Sequence, residues 1–325
     1  MGISVVKFTS NETKTPTWGV LKDEQVYPLN LEAIDHRALM AIYFDERNVF
    51  DAAIESNGVY QSELEFYSPL STNIQMFAQG LNYSSHRAES GLKVDAEEEE
   101  NLLFAKASSS LCGPNDNIIR PEGCELLDYE IELGLVLKTD IHESIQVNDS
   151  NVGDYIGAYI LCNDVSARDF MFGAPMLQWY KGKSQRTFCP AGPILYLLED
   201  GDIEKMYSLQ LTLKMNGKVK QDSSTDLLIH KPPKTLTDIS KFSNMNAGDC
   251  ILTGTPGGVL GGSSPKTGLA ILTNFKNDKK RRRKFVAAQK SLATFLQPGD
   301  FLELEIKSHD GSIDLGTQRN MIAEA

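Results

Sequence analysis

Residues 126–137 read Leu-Leu-Asp-Tyr-Glu-Ile-Glu-Leu-Gly-Leu-Val-Leu, and the fold turns on how this stretch is built. Its aliphatic and aromatic content marks a β-strand. Strand side chains alternate faces, so Glu130 and Glu132 point one way while Tyr129, Ile131 and Leu133 point the other. Neighbouring same-face positions lie about 7 Å apart at Cα, close enough for both carboxylates to reach one cation. Isolated buried carboxylates are costly, and a pair in so apolar a strand calls for a compensating charge. The wet face of an antiparallel sheet would hold the same glutamates without any ligand. Both readings stand at this point.

The next strand, Tyr-Ile-Gly-Ala-Tyr-Ile-Leu-Cys at 155–162, runs into Asn163-Asp164-Val165-Ser166-Ala167-Arg168-Asp169. Asp164 at the end of a buried strand is placed to add a third oxygen ligand, although Asn163 and Asp164 would equally serve an Asx turn or a helix N-cap. Three carboxylates without histidine or cysteine suit a hard cation such as Mg²⁺, Mn²⁺ or Ca²⁺. Further strands are read at 74–80, 102–107 and 250–254. The alternating Leu209, Leu211, Leu213 and Met215 lead into an Asn216-Gly217 hairpin turn, and another strand follows Pro298-Gly299-Asp300. Helical spacing is confined to segments such as 32–44 and 234–245. Many unevenly spaced strands and few helices predict an α+β, mainly β fold rather than a doubly wound sheet. The first seventy residues read as a small N-terminal α/β domain, followed by a larger unit over 71–325.

Composition narrows the function. The chain has 325 residues and a net charge of −12, a poor balance for tracking nucleic-acid phosphates. No apolar run approaches the roughly 20 residues of a membrane span, and the N-terminus lacks the pattern of a secretory signal. A cytoplasmic protein is expected, with no nucleic-acid or membrane partner. The five cysteines are scattered without a CxxC pair, and the five histidines show no HxxxH spacing. Neither a disulfide framework nor a zinc site is expected, and Cys162 and Cys250 read as buried thiols. Two charge runs, at 95–100 and 279–284, read as a solvated loop and a solvated insertion.

Taken in order, the ExE pair, Asn-Asp-Val-Ser-Ala-Arg-Asp, Lys183-Ser184 ahead of Thr-Phe-Cys-Pro-Ala-Gly-Pro, Leu-Thr-Gly-Thr-Pro-Gly-Gly-Val and Pro-Gly-Asp resemble the fumarylacetoacetate hydrolase family. Residues 82–89, Asn-Tyr-Ser-Ser-His-Arg-Ala-Glu, are similar to that family's lid segment. Phe-Ala-Lys-Ala-Ser-Ser-Ser-Leu-Cys-Gly-Pro at 104–114 and Thr317-Gln318-Arg319-Asn320 are similar to further family stretches. The resemblance covers roughly 74–320. It implies a mixed β-sheet roll behind a small leading domain, in a homodimer, with one cation, usually Mg²⁺, on Glu130, Glu132 and Asp164. It implies catalytic roles for Lys183, His86 and Glu89, and substrate contacts for Arg168 and Thr255.

The chemistry agrees with those implied roles. A cation on three carboxylates keeps positions open for a 2-oxo acid and stabilises its enolate. A lysine nearby adds charge, and His86 and Glu89, three apart, share one face of a helical lid as a base and its orienter. Outside this constellation each would read as an ordinary surface or turn residue. The expected activity is keto–enol isomerisation of oxaloacetate-type diacids. C–C hydrolysis of acylpyruvates and oxaloacetate decarboxylation stand as alternatives, and a metal-dependent 2-oxo acid binding protein is the non-enzymatic one. Three departures from the family pattern bear on the substrate. Met171 stands where a glutamine is common, Arg186 stands where an aspartate is common, and an insertion occupies about 258–296.

Overall fold

A computed structural model describes residues 1–10, 14–93, 100–174, 176–273 and 277–325. The acidic run at 95–100 lies outside the described residues, Glu100 apart. The architecture is mainly sheet, as expected. The large mixed sheet runs, in order, through Gln25–Pro28, Thr17–Lys22, Ile3–Thr9, Cys189–Leu197, Ile156–Asn163, Ile131–Leu137, Cys250–Leu252, Met76–Gly80 and Leu102–Lys106. A second sheet orders Lys218–Ser224, Leu209–Met215, Phe301–Ser308, Asp314–Glu324 and Ile118–Arg120. Alternation decides how they pack. Leu209, Leu211, Leu213, Leu302, Leu304 and Ile306 form one buried cluster with Ile131, Leu133 and Leu135 of the central strand. The face of the large sheet carrying Val136, Ala158, Ile160, Leu195 and Leu197 is covered by helical residues including Leu39, Met40, Tyr43 and Phe50. Cys162 and Cys250 are fully buried and free.

The strands of the first seventy residues join the large sheet directly, because Ile3–Thr9 pairs antiparallel with Cys189–Leu197. The helix read over 32–44 runs from His36 to Asp45, its start set by the Asp35 side chain accepting the Ala38 N–H at 3.0 Å. The helix read over 234–245 starts earlier, at Pro232, and ends at Ser240. Proline suits a first helical turn, where its missing N–H has no intrahelical partner to lose.

His36, the first residue of the helix His36–Asp45, is fully buried. One ring nitrogen, Nε2, lies 2.9 Å from the Gly248 carbonyl and the other accepts the Ser71 N–H at 3.2 Å, which assigns a neutral ring donating from Nε2. Burial pushes its pKa below the ordinary value, and the Gly248 carbonyl opposes this only in part. A depressed histidine pKa means the unfolded chain takes up a proton that the native chain refuses. Stability from the neutral ring is therefore complete above an ordinary histidine pKa near 6.5 and is lost progressively as pH falls below it. Melting temperatures from pH 8 down to 5.5 should fall more steeply in the wild type than in His36→Gln, and equal slopes would refute the assignment.

The insertion departs from the solvated reading. It forms two helices, Pro265–Leu272 and Asp278–Lys290, and the basic run lies in the second. Lys279, Lys280, Arg283 and Lys284 are exposed, but Arg281 is buried and Arg282 pairs with the buried Asp169 at 2.6 Å. Helical periodicity turns Arg281, Phe285 and Gln289 inward, where a loop would have left the whole run in water.

Candidate metal centre and active site

Strand register assembles the acidic residues. Ile131 lies opposite Asn163, Glu132 opposite Cys162 and Asp128 opposite Ser166. The same register sets Glu130 against Asp164, and residues directly opposite in an antiparallel pair share a face. The ladder itself is interrupted at Tyr129 and Glu130, where the sequence reads as unbroken strand. Side-chain acceptors replace it: Asp128 Oδ1 takes the Tyr129 N–H at 2.9 Å and Asn163 Oδ1 takes the Glu130 N–H at 3.0 Å. The Asp164 N–H still donates to the Glu130 carbonyl at 2.8 Å and keeps the two residues in register.

One oxygen from each of Glu130, Glu132 and Asp164 lies within 4.8 Å of the others, and all three residues are buried. Among the described residues Glu132 Oε1 has no hydrogen-bond partner, while Oε2 accepts the Gly254 N–H at 2.7 Å. That last bond depends on glycine. Gly254 has φ +90°, and a Cβ there would meet Asn82 Cβ at 2.8 Å. Burial, reinforced by Asp164 and Glu130, drives the Glu132 pKa well above the ordinary carboxylate range. A buried all-oxygen donor set with one orphaned carboxylate oxygen could bind a hard metal ion.

Positive groups surround the triad. Lys183 Nζ reaches Glu130 Oε2 at 2.7 Å and Asp164 Oδ2 at 2.5 Å. Burial would push the lysine pKa down, but Asp164 and Glu130 override it and raise the pKa, so the ammonium stays charged. Burial would likewise raise Glu130, yet Lys183, Arg168 and His86 bring it down to about 2. Arg168 bridges Asp128 at 2.9 Å and Glu130 at 2.6 Å. Lys106 donates to Asp164 Oδ1 at 2.7 Å and also to the Lys183 carbonyl. Sequence reasoning assigned no role to Lys106 or Asp128. Lys106 was legible within the Phe-x-Lys stretch, since three carboxylates require cations. Asp128, two residues before Glu130 and on its face, was legible from alternation alone.

A cavity of about 280 Å³ opens beside this centre, bordered by Glu130, Lys183, Arg168, His86, Gln79 and Thr255. His86 and Glu89 lie on the helix Ser84–Glu89, and His86 Nδ1 is 3.7 Å from Glu89 Oε2. The other Glu89 oxygen accepts the Gly258 N–H at 2.8 Å, and Ser85 Oγ accepts the Gly257 N–H at 3.0 Å. This helix is thus docked on the loop that holds Thr255. Thr255 Oγ1 accepts from Gln221 at 2.8 Å and faces the cavity, whereas Arg168 reaches the cavity with its guanidinium engaged by Asp128 and Glu130. The structure therefore brings all eight sequence-predicted residues to one site.

Residues 75–323 match the family model for the fumarylacetoacetate (FAA) hydrolase C-terminal domain. A mitochondrial oxaloacetate tautomerase of Bos taurus is 34% identical over 199 residues, a match covering 61% of this chain and 61% of that protein. A 2,4-didehydro-3-deoxy-L-rhamnonate hydrolase of Sphingomonas sp. (strain SKA58) is 31% identical over 274 residues, covering 84% of this chain and 81% of its own. Among solved structures, a probable 2-hydroxyhepta-2,4-diene-1,7-dioate isomerase from Mycobacterium abscessus superposes with a TM-score of 0.71 at 25% identity, covering 100% of this chain and 99% of that one.

Proposed function

The chain belongs to the fumarylacetoacetate hydrolase family of enzymes, and we propose that it performs divalent-cation-dependent enolate chemistry on small 2-oxo acids, with keto–enol tautomerisation of oxaloacetate as its leading activity. The observation that carries this reading is the buried Glu130, Glu132 and Asp164 cluster, with its orphaned oxygen, beside Lys183 and at the wall of the cavity that His86 also lines. When bound there, a divalent cation, Mg²⁺ in the first instance, supplies the Lewis acidity that stabilises negative charge on an enolising 2-oxo acid.

The residues supply the rest. Glu130, Glu132, Asp164 and Asp128 set four negative charges against the three positive charges of Lys106, Lys183 and Arg168, so a divalent cation turns the site net positive and favours an anionic substrate. Lys183 holds its proton and presents fixed positive charge to the developing oxyanion. Arg168 and Lys106 keep Glu130 and Asp164 in place. With His86 Nδ1 on the side of Glu89, Nε2 is the atom left to take a proton from substrate C3, and the enolate oxygen gains a proton to give the enol. Gln221 orients Thr255 as a hydrogen-bonding partner for substrate oxygen.

C–C hydrolysis of acylpyruvates is the second reading. It shares the enolate and is favoured by the similarity to a sugar-acid hydrolase over 84% of the chain. A panel of oxaloacetate (enol loss and pyruvate formation) and acylpyruvates (C–C cleavage), run with and without Mg²⁺ or Mn²⁺, tests the proposal. Metal-dependent enol loss faster than any cleavage is the expected result. Affinity without product would reduce the protein to a binder, and full turnover after exhaustive chelation would reject the metal centre.

A further inference from the structure

The insertion after Gly258 lines the same cavity, through residues that include Thr267, Phe285 and Gln289. Ring contacts lead there in steps. Lys183 Nζ sits 5.3 Å from the Phe104 ring, Phe104 is 5.1 Å from Trp179, Trp179 is 6.2 Å from Phe172, and Phe172 is 5.8 Å from Phe285. Trp179, Phe172 and Phe285 all border the cavity, and Met171 completes the wall. Met171 is held by the chain crossing it at Gly182, where a Cβ would meet Met171 Cγ at 2.0 Å. A glutamine at position 171 would have put an amide where this chain puts a thioether.

The placement of Phe285 is enforced from both sides. Arg282 ties its helix to Asp169 at 2.6 Å. Gln289 donates to the Gly262 carbonyl at 2.7 Å and to Thr267 Oγ1 at 3.1 Å, and accepts the Gly262 N–H at 3.1 Å. Asp128 takes the Leu260 and Gly261 N–H groups at 3.0 and 2.9 Å, so a residue bracing Arg168 also anchors the start of the insertion. Gln289 has its amide engaged by these bonds. The acidic and basic side chains bordering the cavity, among the described residues, are Glu130, Arg168, Lys183 and His86; the first three form the carboxylate centre, and His86 lies close enough to act on the Glu130 charge. A second carboxylate extending along the aromatic wall would therefore meet no cation, whereas an apolar group would leave water there for ring surface.

We propose that the insertion makes this cavity selective for 2-oxo acids whose group beyond C3 is apolar and preferably aromatic, with Phe285 as the specificity-determining residue. The inference rests on the reading of the carboxylate end as a 2-oxo acid site, and oxaloacetate, being compact, occupies that end alone. It requires only that one ring be buried at the far end, an effect of about ten- to a hundredfold in affinity.

The test is calorimetric titration of the Mn²⁺-loaded protein with pyruvate, oxaloacetate and phenylpyruvate, alongside the separate enol-oxaloacetate assay. Phenylpyruvate should bind about tenfold or more tighter than pyruvate. In Phe285→Ala that ratio should collapse towards one, with Phe285→Leu intermediate and Met171→Gln also reduced. Should Phe285→Ala fold poorly, the leucine and Met171→Gln variants carry the comparison. A wild-type ratio near one, absence of binding by both monocarboxylates, or a ratio untouched in Phe285→Leu and Met171→Gln would overturn the inference. Loss of enol-oxaloacetate turnover with the binding preference intact would instead count against the proposed reaction alone.

Discussion

Glu132→Gln should abolish divalent-cation binding and cut turnover about a thousandfold or more, the scale of losing several kcal/mol of charge stabilisation in the transition state. The substitution keeps shape and keeps an acceptor for the Gly254 N–H, so the strand and its turn survive. It removes the charge on a carboxylate whose outer oxygen has no partner among the described residues and whose pKa is raised by burial and by two neighbouring acids. Without metal, that carboxyl is a cost to the fold, since it must either stay ionised away from water beside Asp164 and Glu130 or take up a proton. The two melting curves should therefore cross over. Metal-free Glu132→Gln should melt at or above the metal-free wild type. At a cation concentration near 100 times its Kd, the wild type should gain about 2.7 kcal/mol while the variant gains nothing. Equal metal-induced shifts in the two proteins would remove Glu132 from the ligand set.

His86→Ala should lower tautomerisation by about 10²–10⁴-fold, the usual contribution of a positioned general base. Metal affinity should hold, because His86 borders the cavity and is not one of the clustered acids. Its geometry suits the role of base: Nδ1 stands 3.7 Å from Glu89, beyond a direct hydrogen bond, and the other Glu89 oxygen is fixed by the Gly258 N–H, so a held carboxylate faces the ring. Decarboxylation of oxaloacetate generates the enolate by loss of CO₂ and needs no proton taken from C3, so it should suffer much less than enol–keto exchange. The comparison is side by side, with enol-oxaloacetate loss and pyruvate release measured on the same preparations. Equal losses in both reactions would make His86 a lid residue whose docking matters, and a fall in metal affinity would place it in the coordination sphere.

Alternation along one strand was enough to put Glu130 and Glu132 on one face, because a period of two is a local property of extended backbone. Asp164 was legible only as a carboxylate at the end of a buried strand. The register that sets it opposite Glu130, one residue beyond the partner of Ile131, came from the structure. The alternating Leu209, Leu211 and Leu213 announced their buried face in the same way. The ordered motifs placed His86, Glu89 and Lys183 in the candidate site; in the structure His86 and Lys183 border one cavity and Glu89 stands beside His86.

What the tertiary structure decided lies in contacts between distant segments. Lys106 meets Asp164 across 58 positions, and Asp128 holds Gly261 across 133. No periodicity reports such pairings, because they follow from how sheet, loop and helix pack and from the need of each buried charge to find a partner. The basic run at 279–284 shows the same limit. Its composition favours solvent, yet the helix it forms is pinned by Arg282 and Gln289, and a helix pinned on one side must bury whatever that side carries. That side carries Phe285, which is how a segment that reads as surface comes to wall the cavity.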